Sequence, residues 1–329
     1  MPRDRVLEVP PYEVSTHPAA EAWRRLDPDE GYTPLRVFVL KPEKKRSAVY
    51  RLESAGPGGS AVVAKRGRID RLATELLIYR EALPRVPAPM LRCYGSIQDE
   101  HAGYGWLFLE DAGEERFSSG DPEHRAAAAR WLALLHLALA PRPAWHARLP
   151  GRQVSYYRTI VALARAAIRQ GLANPAFGPA DIATLGAILL ACDLLDTRWR
   201  AVEELCGALP NTLVHGDFGA KNVRVRRGPT GVLELLALDW DSAGWGVAAT
   251  DLSQSDVTVY ASLASSHWPE LDPDTLARLA NVGRMFLVLE SITGEVDALS
   301  GGWIDNVMRK MRAYESELGG ALRTAGWAA

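Results

Sequence analysis

Within LVHGDFGAKNV, residues 213–223, His215, Asp217 and Asn222 fall inside eight positions. LALDWDSAGWG follows, carrying Asp239 and Asp241. Asn222 leads into a short strand-like run, 223–226. RGPTG makes a turn, and a second run, 232–240, returns to Asp239. A tight hairpin brings its two ends together, so the Asn222 amide oxygen and the Asp239 carboxylate can converge on one point. Hard oxygen donors with open space between them suit Mg2+, a cation that keeps waters and substrate phosphates in its shell. Asp217 then lies beside the metal without needing to ligate it. That is the place for a group that orients an attacking hydroxyl and accepts its proton.

Phosphoryl transfer of this kind also needs a cation on the phosphates. Residues 69–83 have a helical period. At about 100° per residue, Leu72, Leu76, Tyr79 and Leu83 share one face, with Glu75 at its edge and Glu81 on the opposite side. A carboxylate that faces inward calls for a cationic partner. Lys65, at the end of the preceding strand-like run, is the nearest in sequence. Lys65, Glu75, Asp217, Asn222 and Asp239 then supply, in chain order, a phosphate cation, its partner, a base and two metal ligands.

The elements that must position these groups change character along the chain. Residues 1–35 show one short helical candidate, 19–26. Strand-like runs follow at 36–40, 47–54 and 61–66, then the helix 69–83, then strands at 90–97 and 105–111. Five strands and one helix are thus expected in the first 110 residues. AGPGGS, 55–60, lacks the Lys-Ser/Thr ending of a phosphate loop and reads as a hairpin turn. KPEKKR, 41–46, reads as a basic loop, either a solvated turn or a lid over phosphates. A loop at 112–124 forms a boundary. Helices are expected at 124–139, with His136 as a core histidine, at 154–172 and at 180–209, and again from Thr250 to the end.

The bulk numbers set limits. At 329 residues the chain can fill two lobes. Apolar residues at 47% and charged ones at 24% describe an ordinary globular protein. A net charge of −2 excludes a general nucleic-acid binder. Cys93, Cys192 and Cys206 are scattered, with no zinc spacing, as free thiols in a reducing compartment would be. The opening residues hold no apolar run of signal-peptide length, and no stretch of about 18 uninterrupted apolar residues occurs. The expected location is the cytoplasm, with neither a membrane nor a nucleic acid as partner.

H-G-D-x-x-x-x-N at 215–222, followed by D-W-D at 239–241, resembles the aminoglycoside phosphotransferase and choline kinase group, which shares the protein-kinase-like fold. The likeness spans residues 36–300 and is most specific around 213–252. It implies an α+β, bilobal, protein-kinase-like fold. Residues 1–111 would form a small β-rich, nucleotide-binding N-lobe with one key helix. Residues 112–329 would form a larger, mostly helical C-lobe with the catalytic loop, metal site and acceptor site. The resemblance implies Asp217 as catalytic base, Asn222 and Asp239 as Mg2+ ligands, and Lys65 with Glu75 on the α- and β-phosphates. It makes LFLED, 107–111, the hinge whose backbone meets the nucleotide base, which brings in Phe108, Leu109, Glu110 and Asp111. It assigns His215 to shaping the loop rather than to chemistry. Asp251 in TDLSQ matches a structural aspartate, a helix N-cap being the other structural reading.

The activity implied is transfer of the γ-phosphoryl group of ATP or GTP to a hydroxyl of a small molecule, such as a cationic antibiotic of the aminoglycoside type. A metabolic kinase for choline, an amino acid or a sugar is one alternative. A nucleotide-binding pseudokinase scaffold is another, opposed by the intact Lys65, Asp217, Asn222 and Asp239. The protein would act as a monomer or homodimer. Departures from protein kinases are plain: no glycine in 41–46, Gly216 in place of arginine, and Trp240-Asp241 in place of Phe-Gly. They rank protein kinase activity last. Asp241 could be a second metal ligand or could steer the acceptor.

Acceptors in the resembled group bind over the C-terminal helices. Residues 243–306 hold nine acidic residues against two basic ones, a field that would favour a cationic acceptor. In the expected helix 274–292, Glu290 falls on the stripe of Leu276, Leu279, Gly283 and Leu287, as a pocket wall or a buried ion pair. Glu295 and Asp297 follow. With Asp241 these are the candidate acceptor contacts.

Overall fold

The computed structural model of the chain describes residues 7–26, 33–44, 47–99, 103–269, 271–300 and 304–328. It divides into two compact units, Met1–Phe117 with Ala220–Asp241, and Ser118–Gly219 with Ser242–Ala329. In chain order the elements begin with β1 (Leu7–Glu8), α1 (Pro18–Leu26), β2 (Arg36–Lys44), β3 (Ser47–Glu53), β4 (Val62–Arg68), α2 (Ile69–Leu77), β5 (Cys93–Gln98) and β6 (Tyr104–Glu110). Then come α3 (Pro122–Leu139), β7 (Gly151–Arg152), α4 (Val154–Gly171), α5 (Pro179–Thr197), α6 (Trp199–Cys206), β8 (Thr212–Val214), β9 (Val223–Arg227) and β10 (Leu233–Ala237). β11 (Gly244–Gly246), α7 (Ala249–Leu252), α8 (Val257–Ala264), α9 (Pro273–Thr293), α10 (Val296–Ser300) and α11 (Ile304–Thr324) complete the chain.

The first unit is built on an antiparallel sheet of order β1-β2-β3-β4-β6-β5. Alternate residues of its strands turn Val37, Leu52, Val62, Ala64, Trp106 and Phe108 to one buried face. α1 covers that face with Trp23, whose ring centroid lies 5.3 Å from that of Phe108 and whose Nε1 donates to the Ala55 carbonyl at 2.9 Å. α1 stands where the short helical candidate 19–26 was expected, and the two-residue β1 adds to the five strands expected here. Gly58 and Gly59 in the AGPGGS turn have φ of 67° and 78°, a left-handed backbone that glycine adopts freely.

Residues 41–44 are not a loop. β2 runs to Lys44, with irregular register after Val39 and again after Lys41. Such bulges erase the alternation that marks a strand, and Pro42 reads as a breaker. Lys41 Nζ donates to Ser47 Oγ at 3.0 Å. Lys45 and Arg46 of the expected basic loop lie outside the described residues.

The helix expected at 69–83 is α2 followed by a π turn, Ile78–Ala82, and a 3-10 turn, Leu83–Arg85. Glu75 is fully buried and Glu81 is exposed, as the helical period requires.

β9 and β10 pair as an antiparallel hairpin. The hairpin belongs to the first unit because it continues that unit's pairing. The Val225 amide donates to the Glu115 carbonyl at 3.0 Å, and the Phe117 amide to the Val223 carbonyl at 3.2 Å. Arg226 pairs with Glu110 at 2.7 Å. A division at 111/112 therefore differs from the compact units in two respects: residues 112–117 stay with the first unit, and 220–241 return to it. The strand expected to reach 240 ends at Ala237. Asp239 takes a φ of 65°, and a 3-10 turn, Trp240–Ser242, begins.

In the second unit α9 packs against α4, α7 and α11, and α3 against α8. Tyr157 of α4 stacks on Phe286 of α9 at 4.1 Å between centroids. Gly283 on α9 faces α7, where a Cβ would lie 1.8 Å from the Ala249 carbonyl oxygen, so only glycine permits the approach. The single helix expected at 180–209 is two, α5 and α6. Arg198 leaves the helical region at φ −97° and ψ 7°, with no Gly or Pro to announce it. His136 is buried with Nδ1 3.0 Å from the Tyr260 hydroxyl, and burial pushes it down to about 3, a neutral core histidine. No helix among the described residues is long and apolar enough to cross a membrane.

Candidate active site

The stretch with His215 and Asp217 leaves β8, the edge of a small sheet of order β7-β11-β8. Gly216 follows with a φ of 76°, and a Cβ there would stand 2.5 Å from the Ser242 carbonyl oxygen. That crowding explains the glycine where protein kinases usually have arginine. Asp251 fixes the turn. It is fully buried and accepts from the His215 amide at 2.6 Å and the Gly216 amide at 3.0 Å. Burial raises its carboxyl above the ordinary range, opposed by His215 and by the two amides. Asp251 is the third residue of α7, whose N-cap is Ala248, so the N-cap reading is corrected. His215 is also fully buried. Its ring meets Phe218 edge-on at 5.9 Å, and its Nδ1 lies 3.4 Å from the Asp217 amide. Asp217 itself is half-buried.

Asp251→Ala is expected to lower the unfolding free energy by roughly 2–5 kcal/mol, because two buried amides lose their acceptor. Asp251→Asn, which keeps one acceptor oxygen, should lose less. The denaturant midpoint of each variant measures this, and equal losses would assign the effect to charge instead.

In the first unit Lys65 Nζ contacts both the Glu75 and the Asp239 carboxylates. Lys65 comes from β4, Glu75 from α2, and Asp239 from the turn after β10. Burial pushes Glu75 up to about 7 against the pull of Lys65, and the two carboxylates raise Lys65. The Asn222 carbonyl accepts from the Leu238 amide at 2.9 Å, one step beyond the Val223–Ala237 pair. The hairpin therefore brings Asn222 beside the residue before Asp239, and Asn222 is buried. Among the described residues no group of three or more His, Cys, Asp or Glu converges on a metal position. One amide oxygen and one carboxylate fit a hard cation that completes its shell with water and phosphate oxygens.

The hinge expectation needs a correction at two residues. Phe108 and Leu109 lie inside the sheet, opposite Ala64 and Val63 of β4 and opposite Gly95 and Cys93 of β5. A main chain with strand partners on both sides has no groups to lend to a nucleotide base. The Phe108 side chain is fully buried. The Glu110 amide donates to the Arg92 carbonyl at 2.8 Å, and its carboxylate takes the Arg92 amide and Arg226. Asp111 is the first of the four beyond the strand, paired with Arg51 at 2.6 Å and accepting from the Gly113 amide at 2.9 Å.

The candidate acceptor contacts are largely engaged elsewhere. Glu290 Oε1 accepts from Arg152 at 2.8 Å and from the Tyr156 hydroxyl at 2.7 Å, a half-buried ion pair, the second of the two readings. Burial raises Glu290, and the charge of Asp217 adds to this. Glu295 pairs with Lys310 at 2.5 Å and Asp241 with Arg71 at 3.0 Å, while Asp297 is exposed on α10. Asp256 and Asp272 cap α8 and α9. Five of the nine acids in 243–306 thus have structural partners: Glu290 and Glu295 are paired with cations, while Asp251, Asp256 and Asp272 accept main-chain amides. Arg152 and Arg71 escape a sequence reading. Their partners are 138 and 170 positions away, and no local period marks them.

A family model described as a phosphotransferase enzyme family matches residues 27–286. The chain belongs to that family. No curated protein matches its sequence. Solved structures similar to this phosphotransferase share its fold. The GDP and kanamycin complex of APH(2")-IIia has a TM-score of 0.62 at 14% identity, over 90% of this chain and 97% of that one. Spectinomycin phosphotransferase APH(9)-Ia, in complex with ADP and spectinomycin, has a TM-score of 0.60 at 11% identity, over 88% and 93%. A thermostable mutant of aminoglycoside phosphotransferase APH(4)-Ia in its apo form has 0.55 at 15%, over 88% and 94%. The fold is the protein-kinase-like α+β fold, with a β-rich antiparallel part and a helical part.

Proposed function

We propose that this phosphotransferase moves the γ-phosphoryl group of ATP or GTP to a hydroxyl of a small molecule, with Mg2+ bound. The observation that carries the reading is the Lys65 ammonium between Glu75 and Asp239. It joins a phosphate-facing cation, its supporting helix carboxylate and a metal carboxylate in one cluster. The nucleotide complexes of APH(2")-IIia and APH(9)-Ia agree with it. In this reading Lys65 binds the α- and β-phosphate oxygens, and Glu75 keeps its side chain extended. Asn222 and Asp239 would hold Mg2+, which when bound offsets the phosphate charge. The segment beginning at Asp111 borders the nucleotide base.

Asp217 is the base. The acceptor hydroxyl oxygen forms a bond to the γ-phosphorus, and its proton goes to the Asp217 carboxylate. The bond from the γ-phosphorus to the bridging oxygen breaks, and its electron pair stays on the nucleoside diphosphate. His215 and Asp251 hold the loop and take no proton. ATP and GTP are cytoplasmic metabolites, and we place the reaction there.

The test is nucleotide consumption over a panel of aminoglycosides, amino alcohols, amino acids and sugars, with ATP and with GTP. Acceptor-dependent release of ADP or GDP is the expected outcome. Tight nucleotide binding with no turnover on any acceptor would favour a scaffold.

A further inference from the structure

We infer that Arg71 positions the metal-binding turn by holding Asp241, and that Asp241 is an anchor rather than a ligand of metal or acceptor. The inference rests on the proposed metal role of Asp239. Arg71, Glu75 and Tyr79 recur every four residues along α2 and the π turn that prolongs it, so they form one stripe. That stripe engages three consecutive residues. Arg71 Nη1 lies 3.0 Å from Asp241 Oδ2. Glu75 reaches Asp239 through the shared Lys65. The buried Tyr79 hydroxyl sits against the indole of Trp240, which is itself fully buried.

The turn needs such a grip. Asp239 holds a φ of 65°, and the only other non-glycine residue at positive φ among the described residues is Ser54. A left-handed backbone with a side chain persists where its surroundings over-determine it. Trp240 buries its side chain beside Asp239, and Asp241 on its other flank is held by Arg71. Arg71 holds Asp241 Oδ2, so a second metal ion or an acceptor would have to share the carboxylate with it.

A charge swap tests this without turnover. Mn2+ affinity is measured by electron paramagnetic resonance, with a non-hydrolysable ATP analogue present. Arg71→Asp and Asp241→Arg should each weaken Mn2+ binding roughly three- to tenfold. The double swap, which restores the pair in reverse, should return to within about twofold of the original. Thermal melts confirm that each variant is folded, and Arg71→Lys serves as the milder substitution should Arg71→Asp unfold. A double swap no tighter than Asp241→Arg alone would make Asp241 a ligand. Single variants indistinguishable from the original would remove the positioning role. Failure of the unsubstituted protein to bind Mn2+ with the analogue would instead overturn the proposed function.

Discussion

Asp217→Asn is expected to lower kcat roughly 100- to 10,000-fold, the usual contribution of a positioned base. Asparagine keeps the size of the side chain and can still accept a hydrogen bond from the acceptor hydroxyl. It cannot take the proton. The loop should survive the change, because its shape comes from main-chain bonds. Asp251 accepts from the His215 and Gly216 amides, and the Asp217 amide lies near His215 Nδ1. Nucleotide affinity should therefore stay within about twofold, since Lys65, Glu75 and Asp239 are all unchanged. Steady-state phosphotransfer and an equilibrium nucleotide titration measure the two quantities. Turnover that stays unchanged removes Asp217 as the base.

Asp239→Ala is expected to split nucleotide binding by metal dependence. The Mg2+-dependent part should fall at least tenfold, since one of two protein ligands is gone. The metal-free part should hold or tighten. Lys65 then answers to Glu75 alone, and a negative charge beside the phosphates has been removed. Alanine tolerates the left-handed φ of 65° poorly. Asp239→Asn, which tolerates it better, separates backbone strain from lost charge. Titrations with Mg2+ and with a chelator read both effects. Mg2+ dependence that persists in both variants would reject the metal role.

These groups were legible in the sequence to different degrees, for physical reasons. Glu75 could be turned inward because a helical period is local, and a buried carboxylate demands a cation that Lys65 supplies. The hairpin after Asn222 was legible because strand, turn and strand are contiguous. The structural role of Asp251 was legible, but not its partners, since main-chain amides leave no trace in composition. The left-handed Asp239 carries no glycine to signal it, and the break at Arg198 carries neither glycine nor proline. β7, β8 and β11 are too short, at two or three residues, to show a period. Glu290 could be read as a pocket wall or as half of an ion pair, but its partner Arg152 could not be named because it is 138 positions away in the chain. Pairing across such separations follows from the fold and precedes no local pattern.

The return of residues 220–241 to the first unit has a consequence for synthesis. That unit cannot be completed when Phe117 leaves the ribosome, because β9, β10 and the turn that meets Lys65 do not yet exist. At ordinary translation rates the wait is roughly 5–25 s, while the helices of the second unit emerge. Until then Lys65 and the buried Glu75 lack Asp239, and the 112–117 segment lacks its partner β9. A truncated chain that stops before residue 220 should therefore expose an unfinished unit to chaperones, however complete its six-stranded sheet is.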